Sequence, residues 1–270
     1  MSRDQLDRYG EIDKVVNRWC DSVSKLDPKT TVLINNDDPN LAKLKKFFKG
    51  SAKGFGKKNI KNIRTNGLNG SIFQLTINRE LLTINLPIPG LYHIYDFLAA
   101  FGAGLNLGFD AKGMIASLKN FSPAFGRVEK LPFGYIFLIK NPAGATQVFE
   151  TIAPNIKNGD RLLLALNDNL ADGTDVSWIW DAAFERLTIN DERLTIICSG
   201  TRAYDLAVRL KYAGFDPKDI LIETELENAL KQAKADLEGT LFILPTYTAM
   251  LELQRILTKS GIKKHYWEDA

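Results

Sequence analysis

Five short apolar runs in the second half of the chain, each set off by stretches of helical periodicity, restrict its fold more than any other feature. They are Tyr135 to Lys140, Leu162 to Leu166, Leu194 to Ser199, Ile220 to Glu223 and Leu241 to Leu244. The helical stretches are Ala145 to Ile156, Ser177 to Leu187, Ala203 to Ala213, Leu226 to Ala235 and Thr246 to Lys259. Runs that are continuously apolar, rather than alternating, describe strands covered on both faces. Strand and helix in turn then predict a Rossmann-like, doubly wound, mainly parallel α/β sheet.

Ligands of such sheets bind beyond the carboxyl ends of the strands. Polar residues collect there: Asn141-Pro142-Ala143-Gly144, Asn167 to Asp181, Ser199-Gly200-Thr201-Arg202 and Pro245-Thr246-Tyr247-Thr248. The densest is Asn167 to Asp181, which holds Asp168, Asp172, Asp175 and Asp181 with Gly173, Trp178 and Trp180. Two readings of it stand side by side. In one, Asp172-Gly173 makes a turn, Asp175 caps a helix starting near Val176, and the tryptophans fill a core or an interface. In the other, Asp168, Asp172 or Asp175 offers a carboxylate to a metal, a substrate or a partner's catalytic group.

The first half is organised differently. Leu6, Tyr9, Ile12, Val16 and Trp19 recur on one face of a helix expected from Gln5 to Trp19. Thr30 to Asn35 reads as a strand, Asn36-Asp37-Asp38-Pro39 as a turn and Leu41 to Phe48 as a helix. From Phe48 to Asn69 the chain is rich in Lys and Gly and reads as a mobile solvated loop, with binding of phosphate or anionic lipid as the weaker alternative. Ser71 to Ile77 and Glu80 to Leu86 alternate as a hairpin, and helices are expected from Leu91 and over Ala111 to Leu118. Ser122 to Glu129 is the expected hinge, giving domains at 1–121 and 122–270.

Composition excludes several classes. A formal charge of +3 is too small to make nucleic acid the main partner. The two cysteines, Cys20 and Cys198, lie far apart with no Cys/His cluster, so neither a zinc site nor a disulfide framework is expected, and a reducing cytosol fits. Cys198 sits in an apolar strand, where a thiol is inert, and neither His93 nor His265 is placed near it. No apolar run nears the ~20 residues that span a bilayer, so membrane contact is at most peripheral. Neither GxxxxGK[ST] nor a GxGxxG after a strand occurs.

Taken together, these motifs resemble one family. Lys140-Asn141-Pro142-Ala143-Gly144, Asn167-Asp168-Asn169, the run from Ala171 to Asp181, Ser199 to Ala203 and Leu244 to Leu251 closely resemble the C-terminal domain of MurT, the Mur-ligase-like subunit of lipid II isoglutaminyl synthase. Arg3 to Glu11 and Pro89-Gly90-Leu91-Tyr92 look like its middle domain. The resemblance implies a partial Mur-ligase middle domain before the Rossmann-like one, and a heterodimer with GatD, a class I (triad) glutaminase. GatD would release ammonia from glutamine, while ATP and Mg2+ activate the α-carboxylate of D-glutamate in lipid II for amidation to D-isoglutamine. It implies a cytoplasmic protein working at the inner face of the membrane.

The resemblance also assigns residues. Asp175, with Asp172 second, would be the acid that orients the partner's histidine, as an Asp does in catalytic triads. Asn167, Asp168, Asn169, Trp178, Trp180, Thr246 and Tyr247 would form the partner interface. Arg127 in Gly126-Arg127-Val128-Glu129 and Asn141 would approach nucleotide, as would His93 and Asp96, which stand where relatives carry two Asn. Relatives have a P-loop upstream of the Arg3 segment and a four-cysteine zinc ribbon where this chain has its Lys/Gly-rich stretch, so the phosphate-binding half and zinc are expected to be missing. A non-ligase module that docks a GatD-like glutaminase and completes its active site is therefore the alternative reading, and a fragment of a split gene a third.

Overall fold

The computed structural model describes residues 6–77, 79–123, 126–188 and 194–263. Its contacts separate into one unit that holds Tyr9 to Ser122 and another that holds Leu6 to Arg8 together with the chain from Pro123 onward.

The expected long helix is two: α1 (Leu6–Tyr9), whose residues up to Arg8 fall in the second unit, and α2 (Ile12–Ser24) in the first. Gln5 lies outside the described residues. Gly10 adopts left-handed backbone at φ +70°, which stops α1 and resets the angular register. The buried face of α2 is consequently Val16, Cys20 and Val23, while Tyr9 and Trp19 are exposed. Strand β1 (Thr31–Asn35) leads to α3 (Pro39–Leu44), whose N-cap Asp38 accepts from the Asn40 and Leu41 amides at 2.8 and 3.3 Å.

The stretch expected to be a mobile loop is half strand. β2 (Ser51–Phe55) pairs parallel with β1, and β3 (Ile60–Thr65) joins β4 (Ser71–Ile77) and β5 (Glu80–Leu86) in an antiparallel sheet ordered β3-β4-β5. The reason it escapes periodicity is burial. Apart from Phe55 and Ile60, β2 and β3 are exposed throughout, so no apolar alternation marks them and backbone pairing carries them. Gly54 serves close approach rather than mobility, because a Cβ there would collide with the Asn36 side chain. Helices α4 (Leu91–Asn106) and α5 (Ala111–Ser117) complete this unit.

The second unit is a six-stranded sheet ordered β10-β9-β8-β11-β7-β6. Its elements are β6 (Glu129–Leu131), β7 (Gly134–Ile136), α6 (Pro142–Ile152), β8 (Arg161–Ala165), β9 (Thr195–Ser199), α7 (Ala203–Tyr212), β10 (Ile220–Ile222), α8 (Leu226–Lys234), β11 (Leu241–Pro245) and α9 (Tyr247–Lys259). All neighbours are parallel except β6 with β7. Glu129, expected in a hinge, instead opens β6. The run after Ile136 leaves regular pairing, although Phe137 and Ile139 still donate to Ile243 and Pro245 carbonyls at 2.9 Å. Leu163, Ala165, Ile197 and Ile243 pack with α8 and α9 on one face. α7 lies against β8, β9 and β10 with Leu206 and Leu210 buried, outside that cluster, so both faces are covered. This is the mainly parallel, Rossmann-like architecture that the apolar runs predict.

The helix expected over Ser177 to Leu187 is absent. Two 3-10 turns, Ser177–Trp180 and Phe184–Thr188, stand in its place. The Ala183 amide, which would close a helical turn on Ile179, instead donates to Thr146 Oγ1 at 3.0 Å, and carbonyls of the segment are held by Arg209 on α7, which is buried. Its Nε donates to Ile179 O at 3.0 Å and its Nη2 to Ala182 O and Glu185 Oε1, both at 2.8 Å. The guanidinium also lies over the Phe184 and Trp180 rings, at 5.2 and 5.6 Å. Arg209→Met strands two carbonyls and is expected to cost about 2–5 kcal/mol. Urea unfolding followed by tryptophan fluorescence checks this; a loss below ~1 kcal/mol would contradict Arg209's role.

Candidate functional site

Strands β8 and β11 are neighbours, yet the chain leaves them toward opposite faces of the sheet. After β11 it enters α9, on the α8/α9 face. After β8 it enters the 3-10 segment, which packs on α6 and α7. A crevice opens at such a reversal, where doubly wound sheets hold ligands. Here the chain's own polar groups fill it. Asn167, just beyond β8, donates its amide to Thr246 Oγ1 and its Nδ2 to Thr248 Oγ1, each at 3.0 Å, and its Oδ1 accepts from the Thr201 amide at 3.0 Å. Asn169 Nδ2 donates to the same Thr248 hydroxyl at 2.8 Å.

Asp172 closes this network. Its Oδ1 accepts from the Thr248 amide at 2.8 Å and its Oδ2 from the Thr248 hydroxyl at 2.5 Å, so the carboxylate caps the first turn of α9. Only 6% of Asp172 is exposed and both its oxygens are engaged. The Thr248 hydroxyl gives one hydrogen bond and accepts two, the full capacity of a hydroxyl.

Asp175 is placed differently. Its Oδ1 accepts from the Ser177 amide at 2.8 Å, which starts the 3-10 turn, and Oδ2 has no hydrogen-bond partner among the described residues. One oxygen is fixed by backbone while the other is open, and the residue is half-buried. That arrangement can hold an oriented carboxylate toward an incoming N–H donor.

Asp168 belongs to an ion-pair chain. Thr201 Oγ1 donates to its Oδ1 at 2.8 Å and Arg202 Nη1 to its Oδ2 at 3.1 Å. Arg202 also grips Asp205 through Nε and Nη2 at 2.7 and 3.0 Å. The Thr201 hydroxyl, then Arg202, holds the Asp168 carboxyl below the ordinary carboxylate range, and Arg202 does the same for Asp205.

The remaining expected interface residues divide by exposure. Thr246 and Asn167 are buried in the network and Trp178 is buried in the core, whereas Asn169, Trp180 and Tyr247 are exposed. Sequence reasoning missed four companions, Leu170, Tyr204, Val208 and Tyr212, all exposed. The last three recur every four residues along α7, a spacing that was legible, and Tyr212 meets Trp180 edge-on at 5.6 Å.

The expected nucleotide contacts fall in both units. In the first, His93 stands in the opening turn of α4, its Nδ1 3.3 Å from Asp96 Oδ2 and its ring 3.9 Å from that of Tyr92. His93 is buried and its Nε2 has no partner, while Asp96 is exposed. In the second, Arg127 is exposed and Asn141 caps α6, its Oδ1 accepting from the Gly144 amide at 2.8 Å. Burial pushes the Cys198 thiol up to about 12, which leaves it unreactive. His265 lies outside the described residues. Among the described residues no cluster of three His, Cys, Asp or Glu side chains could hold a metal ion, and no helix is long and apolar enough to cross a membrane.

Comparison with known proteins follows the same two-part division. Residues 138–250 match the family model "MurT ligase C-terminal" and residues 1–104 match "Mur ligase middle domain". The MurT subunit of lipid II isoglutaminyl synthase (glutamine-hydrolyzing) from Streptococcus pneumoniae is 33% identical, over 96% of this chain and 69% of the relative. Its counterpart from Staphylococcus aureus is 27% identical, over 96% of this chain and 68% of the relative. Among solved structures, MurF from Acinetobacter baumannii superposes with a TM-score of 0.73 at 16% identity, over 97% of this chain and 58% of that one. MurF from Thermotoga maritima in complex with ADP gives 0.69 at 15% identity, over 100% of this chain and 61% of that one. The chain thus spans about three fifths of these solved ligases, and at such identities they show the fold alone.

Two outcomes follow from the network. Asp172→Ala uncaps α9 and is expected to lower stability by about 1–2 kcal/mol, read by thermal or urea unfolding. No change would mean that the Thr248 bonds are dispensable. The Asp168 and Asp205 carboxyls have lower pKa values folded than unfolded, so their stabilisation is complete above the ordinary carboxylate range and is lost as pH falls through it toward the folded values. Arg202→Met should flatten that acid limb in a stability–pH series, and an unchanged limb would contradict the assignment.

Proposed function

Since this chain belongs to the MurT family, we propose that it serves as the Mur-ligase-like subunit of a glutamine-dependent amidotransferase in peptidoglycan synthesis. Its partner in this reading is a GatD-type class I glutaminase, and its acceptor is the D-glutamate α-carboxylate of lipid II, amidated to D-isoglutamine. The work would take place in the cytoplasm, at the inner face of the membrane, with the domains meeting at 121/122.

The observation that carries this reading is Asp175, a carboxylate with one oxygen pinned by the Ser177 amide and the other open. Asp172 spends both oxygens on Thr248, which favours Asp175 as the acid that meets the partner's histidine. A carboxylate so placed would fix the histidine tautomer and stabilise its charged form. The exposed Trp180 and Tyr212 pair, with Tyr247 and Asn169, would supply the docking surface, and aromatic rings of this kind are enriched at interface hot spots.

ATP with Mg2+ would convert a carboxylate, a poor acyl donor, into an acyl phosphate that ammonia can attack with loss of phosphate. His93 and Asp96 in the first unit, and Arg127 and Asn141 in the second, are the residues proposed to contact nucleotide. Asn141 would do so with its Nδ2, since its Oδ1 is committed to capping α6.

The chain, its glutaminase partner, amide-labelled glutamine, ATP and Mg2+ should transfer label to lipid II or a soluble analogue, followed by mass spectrometry. Absence of ATP-dependent product would overturn the reading. Trp180→Ala should weaken association with the glutaminase by roughly tenfold or more, measured by calorimetry; an unchanged affinity would remove Trp180 from the interface.

A further inference from the structure

Between Pro39 and Arg79 the sequence has ten Lys or Arg residues and no Asp or Glu. Four of them, Lys57, Lys58, Lys61 and Arg64, are exposed on β3 and the 3-10 turn that leads into it. In a regular strand Lys61 and Arg64, three residues apart, would point to opposite faces. A bulge between them, with Asn62 in left-handed backbone at φ 52°, sets Lys61 opposite Gln74 and Arg64 opposite Ile72. Gln74 and Ile72 are two apart on β4, so the bulge brings both cations to one face. The other face of β4 carries Phe73 and Leu75, both buried, so the cations stand on the open side.

That open side also presents aliphatic side chains. Ile72 on the central strand is 38% exposed, and Leu81 on β5, opposite Thr76, is 52% exposed. Ile63, within the bulge, is exposed as well. Lysines on β3 are accounted for by protection of a sheet edge. Edge protection does not account for Ile72 in the middle of the sheet or for Leu81 on its far strand; the Asp37 carboxylate takes the Lys57 amide and lies near the Lys57 and Lys58 charges, while the run from Lys61 to Arg64 carries no carboxylate of its own. Among the described residues the face offers no aromatic ring on which a base could stack, which argues against single-stranded nucleic acid. Cations flanked by separate exposed aliphatics match the interfacial region of an anionic bilayer, where phosphates meet the first methylenes.

We propose that the open face of the β3-β4-β5 sheet, extended by Lys57 and Lys58, docks the chain on an anionic lipid bilayer. Lys57, Lys58, Lys61 and Arg64 meet the headgroup phosphates, and Ile63, Ile72 and Leu81 enter the headgroup–acyl boundary. This deepens the reading of a lipid-linked acceptor and rests on it for its purpose. The strands that carry the cations are ordered, so the charges are presented together rather than on a wandering loop.

The test is co-sedimentation of the full chain with vesicles of phosphatidylglycerol and phosphatidylcholine, against vesicles of phosphatidylcholine alone. Binding is expected only with phosphatidylglycerol and should fall as salt rises. Each cation near such a surface contributes roughly fivefold in partitioning, so the double variant Lys61→Glu/Arg64→Glu should lose at least about 25-fold. The control Lys157→Glu/Lys218→Glu, exposed positions in the other unit, should not change it. Ile72→Ser/Leu81→Ser should weaken binding while leaving its salt dependence. Equal binding to both vesicles, equal loss in the control, or tighter binding to homopolymeric RNA than to vesicles would overturn the proposal. Amide transfer to a soluble, lipid-free acceptor, run in parallel, separates the two ideas. Its survival in Lys61→Glu/Arg64→Glu leaves the function intact whatever the vesicles show, and its absence in the unaltered chain counts against the function alone.

Discussion

The Thr248 hydroxyl is the point on which the second unit's functional rim depends. It donates to Asp172 and accepts from Asn167 and Asn169, so the loop after β8 is tied to the first turn of α9 across the reversal of the sheet. A fold that ordinarily leaves this crevice to a ligand has filled it with its own amides and carboxylate. The consequence is a displacement of chemistry outward. What remains available is Asp175, beyond the filled crevice, and the exposed rings of Trp180, Tyr212 and Tyr247.

The same loop shows how a local sequence can be overruled by a distant residue. Ser177 to Leu187 has helical periodicity, yet Arg209 bonds the carbonyls at Ile179 and Ala182, the Ala183 amide goes to Thr146, and the segment stands as two 3-10 turns. The swap keeps Trp178 in the core and leaves Trp180 half in solvent beside Tyr212. A buried guanidinium with three acceptors can do this because each carbonyl gains a charge-assisted bond.

Legibility in the sequence followed burial. The strands of the large sheet, buried on both faces, could be read from their apolar runs, and so could the polar rim at their ends, including Asn167, Asp172 and Thr246. The distinction between Asp172 and Asp175 could not be read, because it turns on which carboxylate reaches Thr248, a partner 76 residues from Asp172. β2 and β3 were illegible for the opposite reason: almost fully exposed, they carry no alternation, and Lys and Gly there disguise pairing as disorder. Gly10 hid the break between α1 and α2 inside a pattern that otherwise looked continuous. The face of α7 that presents Tyr204, Val208 and Tyr212 had a readable spacing, but nothing in the sequence said that these side chains stand exposed among the described residues.

The central claim is that Asp172 builds the rim and Asp175 acts across it on a partner. Titrating a GatD-type glutaminase with the Asp175→Asn chain, while recording both the affinity of the complex and glutamine hydrolysis at saturation, tests it most directly. The account predicts a complex of unchanged affinity whose hydrolysis falls by orders of magnitude, as when a triad loses its acid. Hydrolysis at the unaltered rate in the saturated complex would contradict it.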